Sequence, residues 1–250
     1  MGLITAERAG INLYSEYSLH EQLKAYLAKP GDRLEALVEG KVIDLVRTDG
    51  ELVEVQTGHV GQLKPKVLNL AAKGYKVRVV YPVSTERELR RLDPSTGEIL
   101  SIRKSPKRGD EYSFFDELVY APELIAAHNV IFETLLVKTA ETKTRDGKGS
   151  WWRRGDSTID KELIAVLSSR TFHTKAQWLA LIPKRLPPPW TSAALGAGLG
   201  ISTDRARKIL YCLCRAGLIA ETAKDGRRKI YEKALAPRQT KLNKKKPMRE

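Results

Sequence analysis

Apolar and polar positions recur with different periods along this chain, and the changes of period mark its elements. Residues 18–27, SLHEQLKAYL, put Leu19, Leu23, Tyr26 and Leu27 on one side of a helix, with Ser18 near its cap and Pro30-Gly31-Asp32 as its stop. Residues 33–38 and 41–47 then read as strands around Glu39-Gly40, and residues 51–57 as a third strand after Asp49-Gly50. Helical spacing returns over 61–73 through Leu63, Val67 and Leu70, with Pro65 in the first turn, where proline is tolerated. The apolar run at 75–82 reads as a strand after it. A strand-helix-strand order implies a parallel crossover, so the front of the chain predicts an α/β core.

The middle of the chain carries fewer signals. Residues 92–103 form an expected hairpin around Asp93-Pro94-Ser95-Thr96-Gly97, and 115–127 have helical spacing. Residues 131–145 alternate as a long strand that turns at Asp146-Gly147-Lys148-Gly149 into Trp151-Trp152-Arg153-Arg154. Ser157 is the expected cap of a helix with Ile159, Leu163, Val166 and Leu167 inward, and residues 174–182 read as another helix. Pro187, Pro188 and Pro189 form a stiff spacer.

Beyond the spacer the pattern sharpens. Thr191 and Ser192 are N-cap candidates for a short helix with Leu195 and Leu199 inward, and Ser202 or Thr203 caps the next helix. There Ala206, Ile209, Leu210 and Leu213 make one buried stripe, with Arg205, Lys208, Cys212 and Arg215 off it. Gly217 is the stop. Two short strand patterns follow, at 218–223 and 228–232, joined by Lys224-Asp225-Gly226-Arg227. Helix, turn, helix and basic hairpin over about 45 residues resemble a winged helix-turn-helix domain. That resemblance implies a second helix in the major groove, through Arg205 and Lys208, and a hairpin on the DNA backbone or in the minor groove, through Arg227, Arg228 and Lys229.

Charge agrees with that expectation. The chain has 250 residues and a formal net charge of +14. Residues 1–100 hold 14 basic and 14 acidic side chains, whereas residues 201–250 hold 15 and 5. The excess therefore sits where a polyanion is expected to bind, partly in a basic tail at 237–250. No apolar run reaches the roughly 18 residues that span a bilayer, and no signal-peptide pattern opens the chain. Cys212 and Cys214 make neither a disulfide framework nor a zinc site. A cytoplasmic location without membrane attachment is expected.

Three polar residues interrupt the apolar strands of the front half: Asp44 in KVIDLV, and Glu54 and Gln56 in LVEVQT. Glu54 and Gln56 are two apart and share a strand face. A two-residue loop at Asp49-Gly50 would put Asp44 and Glu54 on opposite faces. A three-residue loop, Thr48-Asp49-Gly50 with a glycine bulge, would pair them directly. Half-buried carboxylates side by side repel unless a cation intervenes, and oxygen ligands suit magnesium or manganese.

The segment at 14–83, with GKVIDLVRTDGELVEVQT followed by a helix and VRVVYP, resembles the PD-(D/E)XK nuclease superfamily. The resemblance puts Asp44 at the aspartate position and Glu54-Val55-Gln56 at the E-X-K element. It implies a restriction-endonuclease-like core, a mixed sheet flanked by helices. In it Asp44, Glu54 and the Val55 carbonyl would hold Mg2+ or Mn2+. A further glutamate on the first helix, Glu16 in preference to Glu21, is implied as well. Gln56 departs from the family's lysine and cannot supply positive charge. Lys66 on the following helix, with Lys64 second, is the candidate for a migrated lysine.

The expected organisation is a nuclease-like domain at 1–110, an intermediate α/β segment at 111–186, a winged helix-turn-helix at 187–236 and the tail. The expected function is metal-dependent DNA hydrolysis. The alternative is a non-catalytic DNA-binding regulator on a degenerate nuclease fold, supported by Gln56. DNA is the expected partner, and a homodimer is one arrangement the sequence allows.

Overall fold

Helix α1 (Tyr17–Leu27) precedes an antiparallel meander of β1 (Arg33–Val38), β2 (Lys41–Val46) and β3 (Leu52–Val55) in the computed structural model, which describes residues 17–147 and 155–234. Helix α2 (Val60–Ala72) then crosses over, and β4 (Val77–Leu92) lies parallel to β3. Strand β5 (Ile99–Lys104) folds back on the far end of β4, β6 (Val130–Arg145) runs parallel along the other edge of β4, and β7 (Asp156–Phe172) is antiparallel to β6. The order across this mixed seven-stranded sheet is β1-β2-β3-β4-β6-β7, with β5 as an added neighbour of β4. The protein is thus α/β, a mixed sheet flanked by helices.

Each sheet face has its own apolar cover. Leu19 and Leu23 of α1 lie over Leu45, Val53, Val55, Val80, Leu135 and Val137. On the other side, Val67 and Leu70 of α2 and Phe115 of the short helix α3 (Phe115–Leu118) join Val77, Val79 and Phe132. Tyr26, expected inward on α1, is exposed. Residues 115–127 are not one helix: α3 ends at Leu118, and a 3-10 turn starts at Pro122, whose ring cannot continue the hydrogen-bond ladder.

The helix expected after Ser157 is instead strand β7, and the reason is visible in its pairing. Along β6 the register shifts three times, passing over Ile159, Ile164 and Leu167 as extra residues on β7. Leu163 and Val166, opposite Thr139 and Val137, therefore share a face at a spacing of three and pack against the α1 cluster. Bulges have imposed a near-helical period on a strand. The same pairing corrects the expected boundary at residue 110, because β6 and β7 lie beyond it in the front sheet.

Thr174 caps the short helix α4 (Lys175–Leu179) reciprocally with Gln177 and brings Trp178 into the core. Helices α5 (Ser192–Leu199) and α6 (Thr203–Arg215) and the hairpin β8 (Ile219–Asp225) and β9 (Arg228–Lys233) follow in the expected order. The hydroxyls of Thr191 and Ser202 accept from the Ala194 and Arg205 N–H groups as caps, and Gly200 ends α5 at φ 68°. Trp190 joins the hairpin through two backbone hydrogen bonds with Tyr231, of 2.7 and 2.9 Å. Ile209, Leu210 and Leu213 belong to the same continuous core as Phe115 and Trp178. No helix among the described residues is long and apolar enough to cross a membrane.

Trp178 is the hub where these parts meet, 2% exposed and stacked on Phe172 at 4.4 Å between ring centroids. Trp178→Ala is expected to lower stability by about 3–5 kcal/mol, the usual loss for a buried large aromatic. Urea denaturation should show one shifted transition, since the core is continuous. A loss below about 1 kcal/mol, or separate transitions for the two ends of the chain, would contradict this account of the packing.

Candidate functional site

The turn between β2 and β3 takes the three-residue form. Arg47 N–H donates to the Glu51 carbonyl across it at 2.9 Å, Gly50 has φ 85°, and Val46 pairs with Leu52. Continuing that register sets Asp44 opposite Glu54. Ladder pairing, however, stops at Leu45 and Val53, and the Asp44 carboxylate takes the Val55 N–H at 2.8 Å in place of a strand partner. The two carboxylates thus sit where the strands part.

Each is then taken by a different helix. Glu54, 4% exposed, meets Lys66 of α2, whose Nζ lies 2.5 Å from Oε1. Lys66 also donates to the Val42 carbonyl, so its ammonium bridges β2 and Glu54. Asp44 meets His20 of α1, whose Nε2 lies 3.4 Å from Oδ2 and donates to the Val55 carbonyl at 3.0 Å. Beside them Lys24, almost fully buried, is bound by Glu21 at 2.5 Å and Glu35 at 2.7 Å. Glu16 lies outside the described residues, as do Trp151 and Trp152.

Of the expected residues, then, the fold brings Asp44, Glu54, Val55 and Lys66 together. Gln56 is turned away: its side-chain amide donates to the Gly58 carbonyl of its own loop. Lys64 pairs with Glu123 instead. His20 is an addition that sequence reasoning misses, because nothing in its spacing ties it to a carbonyl 35 residues onward. Its only sequence signal is its place on α1 between the inward Leu19 and Leu23.

The electrostatics separate the two carboxylates. Burial pushes Glu54 up to about 7, Lys66 opposing and Asp44 adding to the shift. Burial also works against the charge on Asp44, but His20 and the Val55 N–H outweigh it and hold Asp44 below its usual value. His20 is raised by Asp44 against the effect of burial. Near neutrality Asp44 is ionised while Glu54 is poised to gain or lose a proton, the kind of divergence found where two carboxylates have different tasks. Among the described residues no three His, Cys, Asp or Glu side chains form a ready metal cage. Asp44, Glu54 and the Val55 carbonyl are hard-oxygen groups of the kind that hold Mg2+ or Mn2+ with water completing the shell, and a cation at Glu54 Oε1 would take the place the Lys66 ammonium now holds.

The C-terminal cations divide into two groups. Arg205 and Lys208, expected on a groove-entering face, point into the body: Arg205 donates to Asp110 and, at 2.9 Å, to Asp116, and Lys208 donates to Asp116 at 2.8 Å. Cys212, next along that stripe, is fully buried. Helix α6 therefore has two covered faces, because α3 and the 3-10 turn pack on the side that its polar residues made look free. Burial works against the charge on Asp116, but Lys208 and Arg205 hold its pKa below the usual value. On the hairpin, Arg227, Arg228 and Lys229 are exposed; Lys229 pairs with Glu221 at 2.7 Å, and neither arginine has an acidic partner among the described residues.

The chain belongs to the family described as Domain of unknown function (DUF8091), whose model matches residues 17–173. It is also similar to an "Uncharacterized protein" of Treponema pallidum (strain Nichols), with 31% identity over 224 residues that cover 89% of this chain and 87% of that one. No solved structure matches it.

The raised Glu54 pKa has a thermodynamic signature. An acid whose pKa is higher folded than unfolded binds more protons in the native state, so its contribution to stability falls as pH rises from the unfolded value near 4.5 through about 7. Glu54→Gln lacks this dependence. Its stability relative to the parent should therefore improve between pH 5 and 8, by about 3 kcal/mol at most. Parallel stability–pH curves for the two proteins would show that Glu54 is not perturbed.

Proposed function

We propose that this protein is a metal-dependent DNA nuclease of the PD-(D/E)XK kind, with a restriction-endonuclease-like core and a C-terminal winged helix-turn-helix that holds it on DNA. The observation that carries the reading is the approach of Lys66 from α2 to Glu54, beside Asp44 at the β2–β3 split. A helix-borne lysine answers the one departure from the family pattern, Gln56. A bound Mg2+ or Mn2+ would supply Lewis-acid stabilisation of charge on the reacting phosphate. Asp44, Glu54 and the Val55 carbonyl would hold it. Lys66 would then place its positive charge at the phosphate, while His20 orients Asp44 and the Val55 carbonyl. DNA contact falls to Arg227 and Arg228, since Asp110 and Asp116 occupy Arg205 and Lys208.

A second reading has one specific observation in its favour. Gln56 is bound to Gly58 and takes no part in the site. A non-catalytic DNA-binding regulator on the same scaffold would tolerate that loss.

Linear, supercoiled and branched DNA incubated with the protein and Mg2+ or Mn2+ separate the two. Cleavage is expected, and Glu54→Ala should abolish it while leaving DNA affinity unchanged. Lys66→Ala should slow cleavage about 10²- to 10³-fold, the usual effect of removing one charge-stabilising group. Gln56→Lys should partly restore the Lys66→Ala protein, a coupling that only the double variant can reveal. Full activity in Lys66→Ala would remove the migrated lysine from the mechanism. A parent inert on every DNA form would leave the regulator.

The hairpin has its own test. Arg227→Ala with Arg228→Ala should weaken duplex binding whatever the sequence and reduce the slope of log affinity against log salt by about 1.8, or about 0.9 for each phosphate no longer neutralised. An unchanged slope would take the hairpin off the DNA.

A further inference from the structure

Strand β4 is flanked by β6 along its whole length, but its other edge is interrupted. Strand β3 covers Val77–Val80 and β5 covers Glu88–Leu92, so between them the edge of β4 has no strand neighbour. The segment after β5 only spans this gap, through Ser105 N–H to the Arg87 carbonyl and Gly109 N–H to the Ser84 carbonyl. A cleft of about 350 Å³ opens there, bounded by Leu19 of α1, Thr57 just past β3, and Arg205 of α6.

Its charge is unbalanced in one direction. Five cationic side chains line it against three acidic ones. Arg87 is paired with Glu141 at 3.3 Å, and Arg205 with Asp110 and Asp116. Lys107, Arg108 and Lys161 have no acidic partner among the described residues, so the surplus charge is available. Hydroxyls complete the lining: Ser84 and Thr139 hydrogen-bond each other at 2.6 Å, and Thr57 and Ser113 face the same space. Cations without partners beside neutral donors are what a phosphate needs. The volume suits one nucleotide and excludes a duplex, whose two strands would not enter a gap one strand wide.

The cleft also lies in line with the Asp44–Glu54 pair. Thr57 is three residues past Glu54, about 10 Å along an extended chain, and Leu19 adjoins His20. We propose that this gap holds one nucleotide of a single DNA strand, its phosphate on Lys107, Arg108 and Lys161. A strand end or unpaired strand, not a closed duplex, is then what reaches Asp44 and Glu54. This rests on the DNA reading above and names the substrate class of that site.

The test is fluorescence anisotropy on the full chain in EDTA, which removes metal chemistry from the readout. The probes are a labelled oligo-dT, a duplex of the same length and, as competitor, free dTMP. Lys107→Ala with Arg108→Ala changes two exposed residues, and its circular dichroism and melting curve verify the fold. Single-strand affinity should fall at least tenfold in this variant, its salt slope should drop by about 0.7 for the one phosphate no longer neutralised, and duplex affinity should change less than threefold. The Arg227→Ala, Arg228→Ala protein should show the reverse preference. Unchanged single-strand binding in the cleft variant would overturn the proposal while leaving DNA binding intact. Free dTMP that binds as tightly as oligo-dT would overturn it in favour of a mononucleotide pocket. A parent that binds neither DNA form would overturn both this proposal and the reading it rests on.

Discussion

Where β2 and β3 part, Asp44 does what a neighbouring strand would otherwise do: it satisfies the Val55 N–H. A buried N–H without an acceptor is destabilising, so the split needs a side chain at this place that reaches across and stays ionised. His20 helps to keep it ionised. Several features follow from that constraint. The Val55 carbonyl is directed at α1, Glu54 is held behind it against α2, and the last turn of the meander must have three residues so that the pair stays in register. Shifting the register by one residue would bury the wrong side chains and leave the N–H without its acceptor.

The parts of the fold legible in the sequence were those set by local chemistry. Proline and glycine marked the stops, Asp49-Gly50 admitted only two turn lengths, and the strand-helix-strand order allowed only a parallel neighbour. The helices and hairpin at the end of the chain followed their caps and their apolar stripe. What failed was periodicity where a bulge intervened. Leu163 and Val166 carry a helical spacing only because an extra residue lies between them on β7, and no single-strand pattern discloses a partner's register. Pro122 was present to be weighed and marked a break in an otherwise helical run.

The candidate site was legible to a similar depth. Asp44 and Glu54 could be named because polar residues inside buried strands need a reason, and Lys66 because the resemblance left a lysine to be supplied from the following helix. His20 could not, because its partner is a main-chain carbonyl, which carries no side-chain signature. Arg205 and Lys208 misled for the opposite reason: cations on the polar face of a helix look solvated until the acids that face them, Asp110 and Asp116, are brought there by α3 and the loop before it, about 90 residues earlier in the chain.

That pairing reaches into heredity. An end domain joined to its neighbour by a flexible tether can be exchanged by recombination and keep working. Here α6 shares an apolar core with α3 and Trp178, and its cations are matched to two aspartates in another part of the chain. A foreign domain spliced in after the proline spacer would leave those aspartates facing the wrong surface. The two ends of this protein are therefore matched surfaces, and exchanging one alone would strand the charges of the other.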